Sequence, residues 1–174
     1  MNKKFLYAQS FMNDSFKLAE KIHNSGYIPD VVIGIWRGGS IPAMVIHEYL
    51  NFMGEHTQSK VITAKSYTGI GEQSEQIDID ISENLLVFLR SVDNILLVDD
   101  VVDSGRTIEE IYKEFDRNYI SAKVKIASIY YKPKVSSILP DFYLHDTDEW
   151  IVFPHELIGL KNNELLQKNL DVFR

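Results

Sequence analysis

The 174-residue chain contains no cysteine. Disulfides and thiolate metal centres are therefore excluded, and a reducing, cytoplasmic setting is expected. No apolar stretch approaches the roughly 18 residues that a membrane-spanning helix needs, so no membrane partner is expected. The opening residues, MNKKFLYAQSF, hold neither a long apolar core nor a small-residue cleavage site, so no signal peptide is expected. Positive charge is also scarce: 18 Lys and Arg stand against 25 Asp and Glu, a net charge of −7. With no basic run, nucleic acid is a poor partner. The five histidines, at 23, 47, 56, 145 and 155, show no metal-ligand spacing. Repeats and low-complexity segments are absent. What is present is a globular composition, 45% hydrophobic and 25% charged, in a length that suits one domain over residues 1–174.

Periodicity divides the chain into alternating strands and helices. Met12, Phe16, Ala19 and Ile22 recur at helical spacing over 10–24, with Gly26 as a stop. VVIGI (31–35) reads as a short buried strand. SIPAMVIHEYL (40–50) reads as a helix with Ser40 as N-cap and Pro42 in its first turn. Strands are predicted at 60–65, at 76–81, at NILLVDD (94–100) and at 123–131, and ENLLVFLRS suits either a helix or a strand. A helix beginning near Thr107 places Ile108, Ile111, Tyr112 and Phe115 on one face. The tail adds PDFYL, EWIVF and a last helix near 162–170. This alternation predicts an α/β fold with a mostly parallel central sheet flanked by helices, whose ligands bind beyond the carboxyl ends of the strands.

Two strand ends draw attention. In ILLVDDVVDSGRT (95–107) a buried strand runs into Asp99 and Asp100, then through Asp103, Ser104, Gly105 and Arg106 to Thr107. A helix that starts after a small, glycine-bearing loop leaves backbone N–H groups free, a ready phosphate cradle. The acids supply acceptors for sugar hydroxyls, so the segment as a whole suits a phosphorylated sugar. The bland alternative is a pair of solvated strand-end charges with Ser104 or Thr107 as a cap. Upstream, GIWRGGSIPA (34–43) offers Arg37 as a cation with planar donors, and Gly38 and Gly39 for unusual backbone angles. That combination suits a pyrophosphate; a tight turn with a surface arginine is the alternative.

Nearer the C-terminus, Lys132 ends a strand and precedes Pro133, while Trp150 and Ile151 lie on a later one. An aromatic face can stack on a planar base, a lysine can donate to a ring carbonyl, and an extended backbone at Ile151 can read the base edge.

ILLVDDVVDSGRT resembles the phosphoribosyl-pyrophosphate (PRPP) motif of the phosphoribosyltransferases: four apolar residues, two acids, two apolar residues, an acid or small residue, Thr or Ser, Gly, any residue, Thr. The DSGRT continuation has no role in receiver domains, whose opening strand ILLVDD also resembles. R-G-G at 37–39 is similar to the pyrophosphate loop of the purine-specific branch. Lys132-Pro133, PDFY (140–143) and WIVFPHE (150–156) are similar to segments of the bacterial and archaeal xanthine-guanine and hypoxanthine enzymes. The resemblance spans about residues 28–156 and implies a type I phosphoribosyltransferase fold, with a small hood over 132–160 and a flexible lid over 66–81 that carries Ser66 and Tyr67.

It implies purine salvage: transfer of phosphoribosyl from PRPP to a 6-oxopurine, in a homodimer or homotetramer. Asp99 and Asp100 would hold the ribose, with Asp100 at Mg²⁺. Asp103 to Thr107 would wrap the 5′-phosphate, and Arg37, Gly38 and Gly39 the pyrophosphate. Asp103 would also handle the purine N7 proton, Lys132 would read O6, and Trp150 and Ile151 would hold the ring. A non-proline cis bond is implied at Trp36–Arg37. Two positions depart from the pattern: Trp36, where relatives carry a small or aliphatic residue, and His155, where they carry Trp. Other readings are a PRPP- or nucleotide-sensing regulator on the same fold, or an enzyme for another base. The lid has no Lys or Arg from 66 to 81, which argues against orotate.

Overall fold

The computed structural model describes residues 3–66 and 77–168. Its elements are β1 (Lys3–Phe5), α1 (Ala8–Asn24), β2 (Val31–Trp36), α2 (Ser40–Phe52), β3 (Gln58–Ser66), β4 (Ile77–Asp80), α3 (Glu83–Leu89), β5 (Asn94–Val102), α4 (Arg106–Arg117), β6 (Lys123–Tyr131), β7 (Phe142–Asp146), β8 (Trp150–Val152) and α5 (Asn162–Gln167). Six strands form one sheet in the order β4-β3-β2-β5-β6-β7, parallel throughout except for β4. The order reverses between β2 and β5, so the loops that follow these two strands open side by side at the carboxyl edge, where open α/β sheets bind ligands.

The sheet is covered on both faces. Phe11, Leu18 and Ile22 of α1 and Ile46 and Leu50 of α2 pack with Leu96 and Val98 of β5. Leu89 of α3 and Ile108, Ile111 and Phe115 of α4 pack with Ile95 and Leu97 on the other side. A strand buried on both faces needs a continuous apolar run, which is why ILLV contains no polar residue. Each such side chain contributes about 2 kcal/mol of burial, and this is what holds β5 rigid beneath the acids that follow it.

Several expectations are adjusted. The buried stripe of α1 is Phe11, Ser15, Leu18, Ala19 and Ile22, while Phe16 is exposed. Ser15 disguises that stripe in the sequence; it tolerates burial because its hydroxyl donates to Phe11 O at 2.8 Å. Ser40 is the first helical residue of α2 rather than its cap, which is Gly39, and Ser40 Oγ is buried with no hydrogen-bond partner among the described residues. ENLLVFL of the ambiguous segment forms α3, capped by Ser82, whose Oγ accepts from Leu85 N at 3.4 Å. β5 continues two residues past the predicted strand, from both acids on to Val102. The N-terminal residues, given no element in the sequence reading, form β1, which pairs in parallel with β8 in the register Lys3↔Trp150, Lys4↔Ile151, Phe5↔Val152. Among the described residues no helix is long and apolar enough to cross a membrane.

Candidate active site

Asp99 and Asp100 sit at an irregular step of β5. Side chains alternate between the two cores up to Val98, but Val101 packs on the same side as Val98, and Val102 returns to the other. The adjacent β6 makes the same step at Ile129 and Tyr130, so the pairing Val101↔Tyr130 survives. Here Asp100 N donates to Asp99 Oδ1 (3.0 Å) and Val101 N donates to Asp100 Oδ1 (2.9 Å). The carboxylates thus satisfy N–H groups of their own strand, and the step turns Val101 toward the hood. Both acids are held above the usual carboxylate range. Burial is the main cause for each, and the charge of Asp100 adds to it at Asp99; Asp100 is pushed up to about 7, with Glu156 contributing. An adjacent acid pair with Asp100 buried and Asp99 half-buried is stabilised by a proton or by an approaching cation or hydroxyl donor.

The Trp36–Arg37 peptide bond is cis, as the resemblance implied. Gly38 and Gly39 are required for a different reason from the one read in the sequence. Neither has a positive φ; both lie directly on β5. A Cβ on Gly38 would fall 2.1 Å from Asp100 Oδ2, and one on Gly39 would fall 2.1 Å from Val98 O. Close approach, not backbone freedom, demands glycine here. Gly39 N donates to Ile35 O at 3.0 Å, so this residue contributes space rather than a free donor. Trp36 is 55% exposed.

Beyond β5, Gly105 caps α4 with φ +87°, and a Cβ there would also meet Ser137 Oγ at 2.7 Å. Asp103, Ser104, Gly105 and Thr107 line a small cavity of about 60 Å³ that reaches back to Asp99. Among the described residues nothing accepts from the N–H of Ser104, Gly105 or Thr107, and Arg106 N reaches Ser104 Oγ at 3.4 Å. Residues with free donors therefore line a space that suits a small anion. Ser137, which the sequence reading passed over, anchors this loop: its N donates to Ser104 O (3.0 Å), and its hydroxyl lies 2.6 Å from Glu109 Oε1.

A larger cavity of about 180 Å³ opens next to it, lined by Val101, Asp103, Lys132, Trp150, Ile151, Phe153 and Glu156. All four residues proposed for base contact and proton handling are thus brought to one place from β8 and the loops that follow β5 and β6. Lys132 Nζ is 2.7 Å from Asp103 Oδ2 and 5.6 Å from the centre of the Trp150 ring. Phe153, Glu156 and Val101 were missed in the sequence; WIVFPHE contained the first two, but apolar and acidic residues in a loop carry no pocket signal of their own.

His155 does not line this cavity. Its ring stacks on Phe153 (5.8 Å, 18°) and leans on Phe11, and Nε2 is 3.7 Å from Asp100 Oδ2. Burial draws its pKa below the usual histidine value, against the pull of Glu156. His155 thus sits behind Phe153, which lines the cavity, and reaches Asp100. Ser66 ends β3; Tyr67 and most of the expected lid lie outside the described residues.

This geometry can be set beside known proteins. The phosphoribosyl transferase domain family matches residues 2–157. A xanthine-guanine phosphoribosyltransferase of Cereibacter sphaeroides is 31% identical over 151 residues, covering 83% of this chain and 81% of its own. The hypoxanthine-guanine phosphoribosyltransferase of Saccharomyces cerevisiae is 26% identical over 165 residues, covering 87% and 74%. The crystal structure of a purine phosphoribosyltransferase from Pyrococcus horikoshii matches with a TM-score of 0.71 at 34% identity, covering 92% of this chain and 99% of that one. The chain belongs to the phosphoribosyltransferase family. It is a pentosyltransferase, an enzyme that moves a pentose from an activated donor to an acceptor.

Proposed function

We propose that the cavity between Lys132 and Trp150 receives a 6-oxopurine (hypoxanthine, guanine or xanthine) and that the loops after β2 and β5 hold PRPP beside it. The chain is a purine-salvage phosphoribosyltransferase, producing a nucleoside 5′-monophosphate and pyrophosphate. The observation that carries the residue assignment is the meeting of Asp103, Lys132 and Trp150 around one cavity that opens beside the Asp103–Thr107 cradle.

On this reading the 5′-phosphate occupies the cradle of Ser104, Gly105, Arg106 and Thr107, and the ribose hydroxyls meet Asp99 and Asp100. Pyrophosphate lies against Arg37 and the backbone of Gly38, with Gly39 allowing close contact with β5. The purine stacks on Trp150, Ile151 backbone reads its edge, and Lys132 donates to O6. As N9 forms its bond to C1′ and the bond to pyrophosphate breaks, charge grows on the sugar and on the departing oxygen. Asp103 accepts the N7 proton, which raises the nucleophilicity of N9. Arg37 stabilises the leaving group electrostatically. Closure of the lid, with Ser66 and Tyr67, would exclude water.

Mg²⁺ fits this site. The acid pair favours a nearby cation, and the described residues contain no cluster of three or more ligating side chains. Such a cation is completed by substrate oxygens rather than by a protein cage. When bound at Asp100, it would supply charge neutralisation of the pyrophosphate. We place the enzyme in the cytoplasm, which the cysteine-free sequence suits. We further read it as a homodimer or homotetramer, with the outward-facing Trp36 as a candidate contact.

A pyrophosphate-release assay with PRPP, Mg²⁺ and a panel of bases tests the proposal. Release is expected with at least one 6-oxopurine and not with orotate, adenine or uracil. No release with any purine would sink it.

A further inference from the structure

Lys168 is an unusual residue: a lysine only 9% exposed, eleven residues beyond the span matched to the family domain. Its ammonium donates to two carbonyls of the hood, Phe153 O and Glu156 O, both at 2.5 Å. The same turn is closed from within: Glu156 N donates to Phe153 O (3.1 Å), and Phe153 N donates to Glu156 Oε2 (3.0 Å). Phe153 and Glu156 are two of the residues that line the base cavity. Phe153 also carries His155 against Asp100.

The helix that delivers Lys168 is anchored at its other end. Glu164 accepts from Lys161 N (2.8 Å) and from Lys3 Nζ (2.6 Å). Lys3 in turn pairs with Trp150 across β1 and β8. Both walls of the base cavity, Trp150 on one side and Phe153 and Glu156 on the other, are therefore tied to one short C-terminal element. A buried ammonium is stable only where several acceptors replace its water, so its position is sharply defined. Burial lowers its pKa, and the charge of Glu156 opposes that shift.

We propose that Lys168 is a positioning residue for the purine: it fixes the 153–156 turn, and with it the width of the base cavity, without touching substrate. This rests on the assignment of that cavity to the base. PRPP, assigned to the loops after β2 and β5, meets the braced turn only through His155 and Asp100, whereas the turn itself lines the base cavity, so the larger effect should fall on the purine.

The test is steady-state kinetics on the full chain with Lys168→Met, which keeps the apolar stem and removes the donors. The KM for the preferred purine should rise roughly tenfold, the loss typical of charge-assisted hydrogen bonds, while the KM for PRPP stays within about twofold. A general structural role would raise both together or lower only the amount of folded enzyme. Glu164→Gln loosens the same helix from outside, leaves Lys168 intact, and should give the same split at smaller size. A folded Lys168→Met enzyme with unchanged purine KM overturns the inference. So does a parallel rise in both KM values. If Lys168→Met does not fold, an unchanged purine KM in Glu164→Gln overturns it. Wild-type enzyme that releases no pyrophosphate with any purine instead removes the base assignment on which the inference stands.

Discussion

Lys132 Nζ lies 2.7 Å from Asp103 Oδ2 across the mouth of the base cavity. Two groups assigned to different edges of a purine, O6 and N7, are bonded to each other in the free protein. A 6-oxopurine offers both an acceptor and a proton at the spacing that lets it replace this contact. On the proposed assignment, entry of the base would exchange this one charge-assisted bond for two.

Asp103→Asn removes the proton acceptor and leaves the volume and the loop unchanged. Turnover should fall by about 100-fold or more, the range for loss of a general base. PRPP affinity measured by calorimetry should stay close to wild type. Normal turnover with guanine, xanthine and hypoxanthine would show that the base is elsewhere.

Lys132→Met should act differently. It deletes the donor to O6, so the KM for a 6-oxopurine should rise by roughly 10- to 100-fold, as for loss of a hydrogen bond from a charged group. The KM for PRPP should barely move. Equal rises in both would mean that Lys132 serves the phosphate loop.

The two loop glycines separate stability from activity. Gly39→Ala drives a Cβ to 2.1 Å from Val98 O, a rigid backbone atom of the central strand. Overpacking of this kind costs about 1–3 kcal/mol, so Tm should drop by roughly 2–12 °C. Gly38→Ala meets the Asp100 carboxylate instead, which is a side chain. Its Tm should change less, and its activity should fall more, because the group displaced belongs to the site.

The acid pair makes stability depend on pH in an unusual direction. Asp100 is pushed up to about 7 by burial, with Asp99, His155 and Glu156 around it. An unfolded aspartate titrates near 3.9, so between about pH 4 and 7 the folded protein holds protons that the unfolded chain has released. That contribution is full below about pH 4 and is lost as pH rises through about 7. Thermal melts of the ligand-free protein should show Asp100→Asn more stable than wild type at about pH 8, with the gap closing toward about pH 5. The variant should be nearly inactive. A gap that widens on acidification would refute the raised pKa.

Much of this site was legible in the order of residues. The loop proposed as the phosphate cradle is built from consecutive residues, Asp103 to Thr107, in which Ser104, Gly105 and Thr107 act through local backbone geometry. The apolar run before it announces a doubly buried strand. The role of Gly38 and Gly39 was only half legible. Their presence marked a special loop, but the reason is a contact with β5, about sixty residues later. In α1, Ser15 hid the buried stripe, because a serine satisfied by the preceding turn can stand in a core position.

Chain order alone thus specified the alternating α/β pattern, the acid-bearing strand end and the residue types that suit a phosphorylated sugar and a planar base. These follow from periodicity and turn chemistry, which act over a few residues. Tertiary structure decided which of those residues face one another. It placed Lys132 on Asp103, set His155 against Asp100 instead of in the cavity, paired the unpredicted β1 with β8, and brought Lys168 under the hood. Each of these is a contact between distant parts of the chain, chosen by which carbonyls, charges and rings could be satisfied once the two cores had closed on β5.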